Sequence, residues 1–370
     1  MKTEIQSLLE EMVRRRASDL HLTPGVPPQL RIDGTLVAYE RAPLTADECR
    51  ELSYALLDEK RIERFEADRG LDTSFGVEGL ARFRVNVYHQ RGSVAAAIRH
   101  LPWEIPAMEE LGVPLIMKEF CEKLSGLVLV SGPTGSGKST TLASMIDYIN
   151  TSKSVHIISI EDPIEYLHRH KQCIVNQREI GSDAPSFASA VRQVLRQDPD
   201  VICIGEIRDL ETVRTALTLA ETGHLVLTTV HTSEAPQAIS RIIDIFPPYE
   251  QQGVRTQLCL CLQGVLVQQL IPDASGSGRR LATEMMVATP AVRNLTRENN
   301  LQQLRSAIET GAKDGMHSLN NSLLTLEKEG KISVETAIES TNDLKGLLRE
   351  LSRTHPNIMS GKAQPGAPRM

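Results

Sequence analysis

The sequence lacks several features that would place it in a class at once. Its N-terminus does not resemble a secretory signal peptide, so we expect a protein of the reducing cytoplasm. Its six cysteines form no Cys-x-x-Cys pair, which argues against a zinc site. The longest apolar stretch, residues 258–271, is interrupted by Gln263, Gln268 and Gln269. We therefore predict a core helix there, not a membrane span.

The sequence also has no excess of basic residues. The formal net charge of the chain is −6, and no stretch interleaves aromatic and basic residues as single-strand binding surfaces do. Both features argue against nucleic acid or an anionic membrane as a general partner. The apolar fraction of 41% suffices for packed cores, and 370 residues suffice for about two domains.

Residues 1–100 are predicted to form a small α+β domain. Apolar residues at helical spacing near the N-terminus indicate an amphipathic helix. Residues 29–32 and 35–39 flank Asp33-Gly34, a pattern typical of a β-hairpin with a tight turn. A helical segment over 45–65 and strands near 73–75, 81–90 and 94–99 complete the predicted domain.

The rest of the chain predicts a second, larger domain. Prolines mark residues 101–114 as a linker. Over 115–280, strands alternate with helices, which is typical of a parallel sheet flanked by helices. The predicted strands are 127–131, 156–161, 201–205 and 225–230. A helical region is predicted over 281–352 and a disordered tail over 353–370.

The most informative motif spans residues 132–140 and fits Gly, four residues, Gly-Lys, then Ser or Thr. It lies between a predicted strand and a predicted helix, where glycines let the backbone wrap a phosphate chain. Lys138 would reach the β/γ-phosphates, and the Ser139 hydroxyl would ligate Mg²⁺. The predicted nucleotide-binding residues are Gly132, Thr134, Gly135, Ser136, Gly137, Lys138, Ser139 and Thr140.

Two acidic segments follow strands of the predicted sheet. Glu161, Asp162 and Glu165 come after the strand at 156–161, and strand carboxyl ends are where parallel α/β sheets place ligands. A cation or an attacking water would make use of such a cluster, whereas a plain acidic loop with a helix cap is the alternative. Glu206 ends the apolar strand at 201–205 and would hold Mg²⁺ through its water shell or orient the attacking water.

Two histidines bracket the strand at 225–230. His231 follows its carboxyl end and could contact the γ-phosphate, while His224 lies at the opposite end and is less obviously placed. A hydrogen-bonded structural histidine is the alternative for each.

Two arginines share one face of a predicted strand in the first domain. Alternation over 82–87 places Arg82, Arg84 and Asn86 on one side and apolar residues on the other. Neighbouring cations repel, so an anion is expected nearby. The alternatives are a solvated sheet face and an arginine finger that reaches a phosphate held by a neighbouring subunit.

Together, these motifs resemble the Walker A, Asp box, Walker B and His box of the GspE/PilT/VirB11-like secretion ATPases. The matching segments are 132–140, 161–165, 201–209 and 223–232. Further strings resemble the branch of pilus retraction ATPases, and the likeness covers residues 1–350. These strings are Ser18-Asp19-Leu20-His21-Leu22, Val175-Asn176-Gln177-Arg178-Glu179 and Gly205-Glu206-Ile207-Arg208-Asp209.

The resemblance implies an α/β fold with a PAS-like α+β N-terminal domain, a RecA-like P-loop NTPase domain with a helical C-terminal region, and ATP with Mg²⁺ between the domains. It also implies a homohexamer that drives pilus retraction and twitching motility at the cytoplasmic side of the inner membrane. Its implied partners are a PilC-like inner-membrane platform protein and an accessory retraction ATPase. By the same resemblance, Glu165 is the general base, Glu206 the Walker B carboxylate, His231 a γ-phosphate contact, and Arg82 and Arg84 arginine-finger candidates.

Four other functions are alternatives to the retraction motor. The first is the extension ATPase of the same superfamily, which is disfavoured because it carries a four-cysteine zinc site that this sequence lacks. The resemblance leaves open an accessory retraction ATPase, and a RecA-like fold also suits a nucleic-acid translocase, which the negative charge disfavours. A scaffold that only binds nucleotide is disfavoured by Lys138, Glu165 and Glu206. The family's C-terminal retraction motif, Ala-Ile-Arg-Asn-Leu-Ile, corresponds to residues 291–296, where Thr296 puts a hydroxyl in place of an apolar side chain.

Overall fold

The computed structural model describes residues 2–32, 34–77, 79–101, 104–276 and 278–354. Asp33 of the predicted hairpin turn, residues 102–103 of the predicted linker and residues 355–370 of the predicted tail lie outside these ranges. The chain divides into two compact units. The first comprises Met1–Ile105, Glu161–Arg169 and Glu179–Asp183, and the second comprises Pro106–Ile160, His170–Arg178 and Ala184–Met370.

The first unit is built on a six-stranded sheet in the order β3-β2-β1-β6-β5-β4. Its strands and helices are α1 (Lys2–Arg14), β1 (Asp19–Leu22), β2 (Gln29–Ile32), β3 (Thr35–Ala38), α2 (Ala46–Tyr54), α3 (Glu59–Asp68), β4 (Gly70–Val77), β5 (Ala81–Gln90) and β6 (Ser93–Leu101). The predicted 45–65 helix is therefore two helices, because Asp58 caps a second one by accepting a hydrogen bond from the Arg61 amide.

Strand β5 has one buried face and one polar face. Phe83, Val85 and Val87 have no solvent exposure, whereas Arg82 and Arg84 alternate with them on the opposite face, as predicted. The buried side chains pack with α1 and α2 into one apolar core. This core fixes the strand and so fixes where its two arginines emerge.

The second unit contains a seven-stranded sheet in the order β13-β12-β7-β11-β10-β8-β9. Its elements are α4 (Met108–Leu111), α5 (Ile116–Cys121), β7 (Gly126–Ser131), α6 (Lys138–Ser152), β8 (His156–Glu161), β9 (Ile174–Glu179), α7 (Phe187–Val194), β10 (Val201–Ile204), α8 (Leu210–Glu221), β11 (Leu225–Val230), α9 (Ala235–Asp244), α10 (Gln251–Cys261), β12 (Leu262–Pro272), β13 (Arg279–Val287), α11 (Pro290–Arg297), α12 (Leu304–Thr310), α13 (Leu319–Lys328), α14 (Val334–Ser340) and α15 (Leu344–Thr354), with 3₁₀ turns at Leu301–Gln303 and Ala312–Asp314.

The centre of this sheet is parallel. Strand β11 lies between β7 and β10 and is parallel to both, and every residue of all three strands is buried. Parallel strands covered on both faces have nearly continuous apolar sequences, which is why their positions were predictable. Their carboxyl ends meet at one edge of the sheet, where the phosphate loop begins after β7.

The apolar stretch 258–271 is not a core helix, and that prediction is wrong. Helix α10 ends at Cys261, and β12 follows directly, pairing in parallel with β7 and antiparallel with β13. Short apolar runs cannot distinguish a buried strand from a buried helix by periodicity alone. Neither this segment nor any other described helix combines the length and the apolar character needed to cross a membrane.

The region 281–352, predicted to be helical, begins with the end of strand β13, and its helices lie between Pro290 and Thr354. In α11, the buried Thr296 hydroxyl donates to the Val292 carbonyl at 2.9 Å, so its polar group is satisfied within the helix. Arg293 of the same helix donates to the carbonyls of Ala288, at 2.8 Å, and Leu260, at 3.1 Å. The arginine thereby caps the carboxyl end of α10 and joins the two helices.

Candidate active site

The phosphate loop between β7 and α6 depends on three glycines with positive φ. These angles are 141° at Gly132, 79° at Gly135 and 89° at Gly137, a region that favours glycine. At Gly132, a Cβ atom would lie 2.3 Å from the Gln268 carbonyl oxygen and 2.6 Å from the Ser136 Oγ. The loop therefore has its shape only because this position carries no side chain.

The loop presents polar groups that suit a phosphate chain. Helix α6 begins at Lys138, and its N-cap residue, Gly137, supplies no side-chain hydrogen bond to the first turn. The amide groups of that turn and the positive end of the helix dipole are the usual ligands of an anion. Ser136 is buried, and its Oγ has no hydrogen-bond partner among the described residues. The residues present therefore fit a bound phosphate group.

The Lys138 ammonium group is enclosed by the loop. Lys138 is only 7% exposed, and its Nζ donates to the carbonyl oxygens of Gly132 and Pro133, both at 2.9 Å. The same Nζ lies 3.5 Å from Nδ1 of His231. A buried ammonium group held by carbonyl dipoles can exchange those oxygens for phosphate oxygens at little reorganisation cost.

His231 links the phosphate-loop lysine to the carboxylate after β10. Its Nε2 lies 3.3 Å from the Glu206 Oε2, and the other carboxylate oxygen of Glu206 forms an ion pair with the Arg208 Nε at 2.7 Å. The Thr229 hydroxyl donates to the Gly205 carbonyl at 2.6 Å and so ties the ends of the two strands together. The structure thus brings Lys138, His231 and Glu206 into one polar chain.

His224 is outside that chain. Its ring Nδ1 lies 3.0 Å from the Leu219 carbonyl oxygen at the end of α8, and its own carbonyl accepts the Gly126 amide at 3.0 Å. His224 therefore joins the end of α8 to two strands, at the edge of the sheet opposite the phosphate loop. These contacts are those of a hydrogen-bonded structural histidine.

Ser139 and Glu206 have the chemistry of magnesium ligands. Ser139 is exposed in the first turn of α6, and the Glu206 side chain is 22% exposed. Hydroxyl and carboxylate oxygens are what Mg²⁺ prefers, with water and phosphate oxygens completing its octahedral shell. The donor set therefore fits a magnesium ion that arrives with a nucleotide.

Glu165, the predicted general base, lies in the first unit beside Arg84. The Arg84 Nη1 is 3.7 Å from the Glu165 Oε1, and both side chains are about one-third exposed. Arg84 also donates from Nε and Nη2 to both carboxylate oxygens of Asp72, at 2.6–3.2 Å. These hydrogen bonds raise the pKa of Arg84, so its charge is retained.

Arg82 is more deeply buried and has different partners. Its side chain is 12% exposed, and its Nε donates to the Ile164 carbonyl at 3.0 Å. Its Nη2 donates to the Ser74 Oγ at 2.5 Å and lies 3.4 Å from the Glu179 Oε2. Burial lowers the pKa of Arg82, although not enough to neutralise a guanidinium group at physiological pH.

Sequence reasoning gave no role to Glu179, which is the acidic partner of Arg82. Glu179 is 6% exposed and lies at the end of β9. It occurs in one of the family-like strings, but a single carboxylate at a strand end carries no chemical signal of its own. Its partners became visible only in the folded chain.

A family model described as "Type II/IV secretion system protein" matches residues 1–338. The chain belongs to this family. It is 47% identical over 336 residues to the type IV pilus retractation ATPase PilT of Pseudomonas aeruginosa, with 91% of this chain and 97% of that protein covered. It is also 39% identical over 364 residues to the type IV pilus ATPase PilU of the same organism, covering 98% and 95%.

A solved structure gives the same result for the fold. The crystal structure of the pilus retraction motor PilT with bound ADP matches with a TM-score of 0.86 at 51% identity, covering 93% of this chain and 98% of that one. These similarities confirm the predicted family and its α/β fold class. The protein is an ATPase of this family, as its phosphate loop predicted.

Proposed function

We propose that this ATPase is a motor that hydrolyses ATP to retract a type IV pilus. The similarity to a pilus retraction ATPase over nearly the whole of both chains carries the proposal. The intact phosphate loop and the Lys138–His231–Glu206 chain of the second unit support the proposal. Retraction, and with it twitching motility, is the work that this hydrolysis would drive.

The chemistry assigned to the site follows from the side chains present. Lys138 would contact the β/γ-phosphates, Ser139 and Glu206 would hold Mg²⁺, and His231 would contact the γ-phosphate. When bound there, Mg²⁺ would supply positive charge that offsets the negative charge of the phosphates during transfer. Glu165 accepts the proton of the attacking water as general base. Arg84 is the candidate arginine finger, since it is more exposed than Arg82.

The motor acts as a homohexameric ring at the cytoplasmic face of the inner membrane. Its partner there is a platform protein at the pilus base, and hydrolysis around the ring would turn that protein and withdraw pilin subunits. Lys138 is the only lysine or arginine in the phosphate-loop segment 132–140. A phosphate bound there needs further positive charge in the transition state, which a neighbouring subunit can supply.

Mixing two inactive variants tests whether subunits share sites. We expect Arg84→Ala and Lys138→Ala subunits each to hydrolyse ATP poorly alone and to regain activity after being mixed and reassembled. In a random ring, about a quarter of the interfaces would combine an intact Lys138 with an intact Arg84 from the next subunit. Steady-state ATPase assays measure the recovery, with each unmixed variant carried through the same reassembly as control. No recovery would indicate that each site is completed within one chain.

A deletion strain tests the direction of the motor. We expect cells without this gene to keep surface pili and to lose twitching, because extension continues while withdrawal stops. Electron microscopy of the pili and a surface-spreading assay measure the two traits, with complementation by the wild-type gene and by a Lys138→Ala gene as controls. A strain without pili would assign the protein to extension.

An accessory retraction ATPase is the second candidate, because the chain is also similar to PilU over nearly its whole length. The identity to PilU, 39%, is lower than the identity to PilT, 47%. Expression of this chain as the sole retraction ATPase of a cell separates the two. A main motor restores twitching in that background, whereas an accessory motor does not.

A further inference from the structure

The peptide groups of Ile164 are held from both sides by buried charged side chains. The Ile164 amide donates to the Glu179 Oε2 at 3.1 Å, and its carbonyl accepts from the Arg82 Nε at 3.0 Å. Ile164 directly precedes Glu165 in the chain. The main chain next to the proposed general base is therefore fixed by one carboxylate and one guanidinium group.

These two side chains also hold each other. The Arg82 Nη2 lies 3.4 Å from the Glu179 Oε2, and the Ser74 hydroxyl bridges them by accepting from Arg82 at 2.5 Å and donating to Glu179 at 2.7 Å. The other Glu179 oxygen accepts from the Ser182 hydroxyl at 3.4 Å. Removal of one partner from a buried ion pair leaves the other charge uncompensated, so Arg82 and Glu179 each hold the other in place.

The cluster of Arg82, Glu179 and Ser74 is placed to hold the main chain in position and not to contact a substrate. Glu179 and Ser74 are both more than nine-tenths buried, so neither is placed to meet a nucleotide. Arg82 donates hydrogen bonds to the Ile164 carbonyl, the Ser74 hydroxyl and the Glu179 carboxylate. Placement matters here, because an error of about 1 Å in a catalytic group can cost a factor of about 10² in rate.

We propose that Glu179 and Arg82 form a clamp on the Ile164 peptide groups that positions Glu165 to accept a proton from the attacking water. Glu179 and Arg82 are positioning residues in this account, and the inference rests on the proposed role of Glu165 as general base. Loss of the clamp lowers kcat without changing the affinity for ATP, because Lys138 and the phosphate loop lie in the other unit and keep their own contacts.

A double-mutant cycle with Glu165 tests the functional part. We expect Glu179→Ala to lower kcat by about 10- to 100-fold with an unchanged KM, and Glu179→Gln, which keeps an acceptor for the Ile164 amide, to lower it less. In a Glu165→Gln background, Glu179→Ala should have little further effect, since it acts through the side chain already removed. Steady-state ATPase assays of the full chain measure all four corners of the cycle.

Hydrogen exchange at Ile164 tests the clamp itself, without using activity. We expect the Ile164 amide to be protected in the wild type and to exchange at least about tenfold faster in Glu179→Ala. Glu48→Ala is a matched control, because Glu48 also accepts a backbone amide, that of Thr45 at 2.7 Å, and pairs with an arginine in the same unit. If Glu179→Ala fails to fold because Arg82 loses its partner, both kcat and exchange at Ile164 are measured in Glu179→Gln instead.

The possible outcomes separate the clamp from the function on which it rests. Unchanged kcat together with unchanged exchange at Ile164 in Glu179→Gln and Glu179→Ala would overturn the clamp. An equal loss of kcat with and without the Glu165 carboxylate would reduce Glu179 to a general structural role. Normal turnover in Glu165→Gln alone would overturn the general-base role and the functional meaning of the clamp, while the exchange measurement would still report the contact.

Discussion

Replacement of Glu165 with glutamine is expected to lower kcat for ATP hydrolysis by about 10²- to 10⁴-fold, the range typical of a lost general base. Glutamine keeps the size of the side chain and one acceptor oxygen, but it cannot take a proton from water at neutral pH. Binding of ATP should persist, because the phosphate loop and Lys138 are unaltered. The variant should therefore hold ATP and turn it over slowly, with KM little changed.

Single-turnover assays and binding of a fluorescent ATP analogue measure the two halves of this expectation. Glu66→Gln is a suitable control, because Glu66 is a partly exposed carboxylate in the same unit that pairs with Arg50 at 3.3 Å, much as Glu165 pairs with Arg84 at 3.7 Å. The control should hydrolyse ATP normally. Normal turnover in Glu165→Gln would mean that another group activates the water.

Replacement of Lys138 with alanine is expected to lower kcat/KM for ATP by at least about 10³-fold. The ammonium group contributes charge-assisted hydrogen bonds to the bound phosphates, worth about 1.5–3 kcal/mol in the ground state. It contributes further to the transition state, where loss of one preorganised donor costs about 10²- to 10³-fold. The fold should survive, because the change removes a buried charge and leaves its acceptors, the Gly132 and Pro133 carbonyls, in a loop that is partly exposed.

Thermal unfolding with and without ATP and Mg²⁺ shows whether binding itself is lost. A ligand that binds only the folded chain raises its stability by RT ln(1 + [L]/Kd), so the wild type should melt at a higher temperature with nucleotide and Lys138→Ala should not. Lys171→Ala removes a lysine of the same unit that pairs with Asp147 at 2.7 Å on the surface, and it should keep the nucleotide-dependent shift. A nucleotide-dependent shift in Lys138→Ala equal to that of the wild type would contradict the assignment.

Local patterns carried the predictions that the structure or the comparisons confirm. The predicted strands at 156–161 and 225–230 coincide with β8 and β11, because buried parallel strands are short, apolar and followed by polar residues. The phosphate loop was equally visible, since its function needs glycines and a lysine at fixed spacing within a few residues. Both signals are contained in consecutive residues.

Sequence patterns give wrong or incomplete predictions where the same residues suit two local structures. Residues 262–272 are apolar enough for a buried helix, and pairing with β7 and β13 decides in favour of a strand. Thr296 was a polar departure from the family motif, and only the helix geometry shows that the Val292 carbonyl satisfies its hydroxyl. For residues 262–272, pairing with distant strands chooses between two conformations of similar propensity, whereas for Thr296 the backbone of its own helix satisfies the hydroxyl.

By itself, the sequence therefore determined the class of enzyme, the phosphate loop and the strands that support it. Only the tertiary structure decided which charged groups act together. Arg82 meets a carbonyl 82 residues away in the chain and a carboxylate 97 residues away, and Lys138 meets a histidine 93 residues away. Such partners leave no periodic signal, because the energy that selects them comes from burial and charge pairing in the folded state. The phosphate loop could be identified from nine consecutive residues, whereas the clamp beside Glu165 exists only once distant strands are packed together.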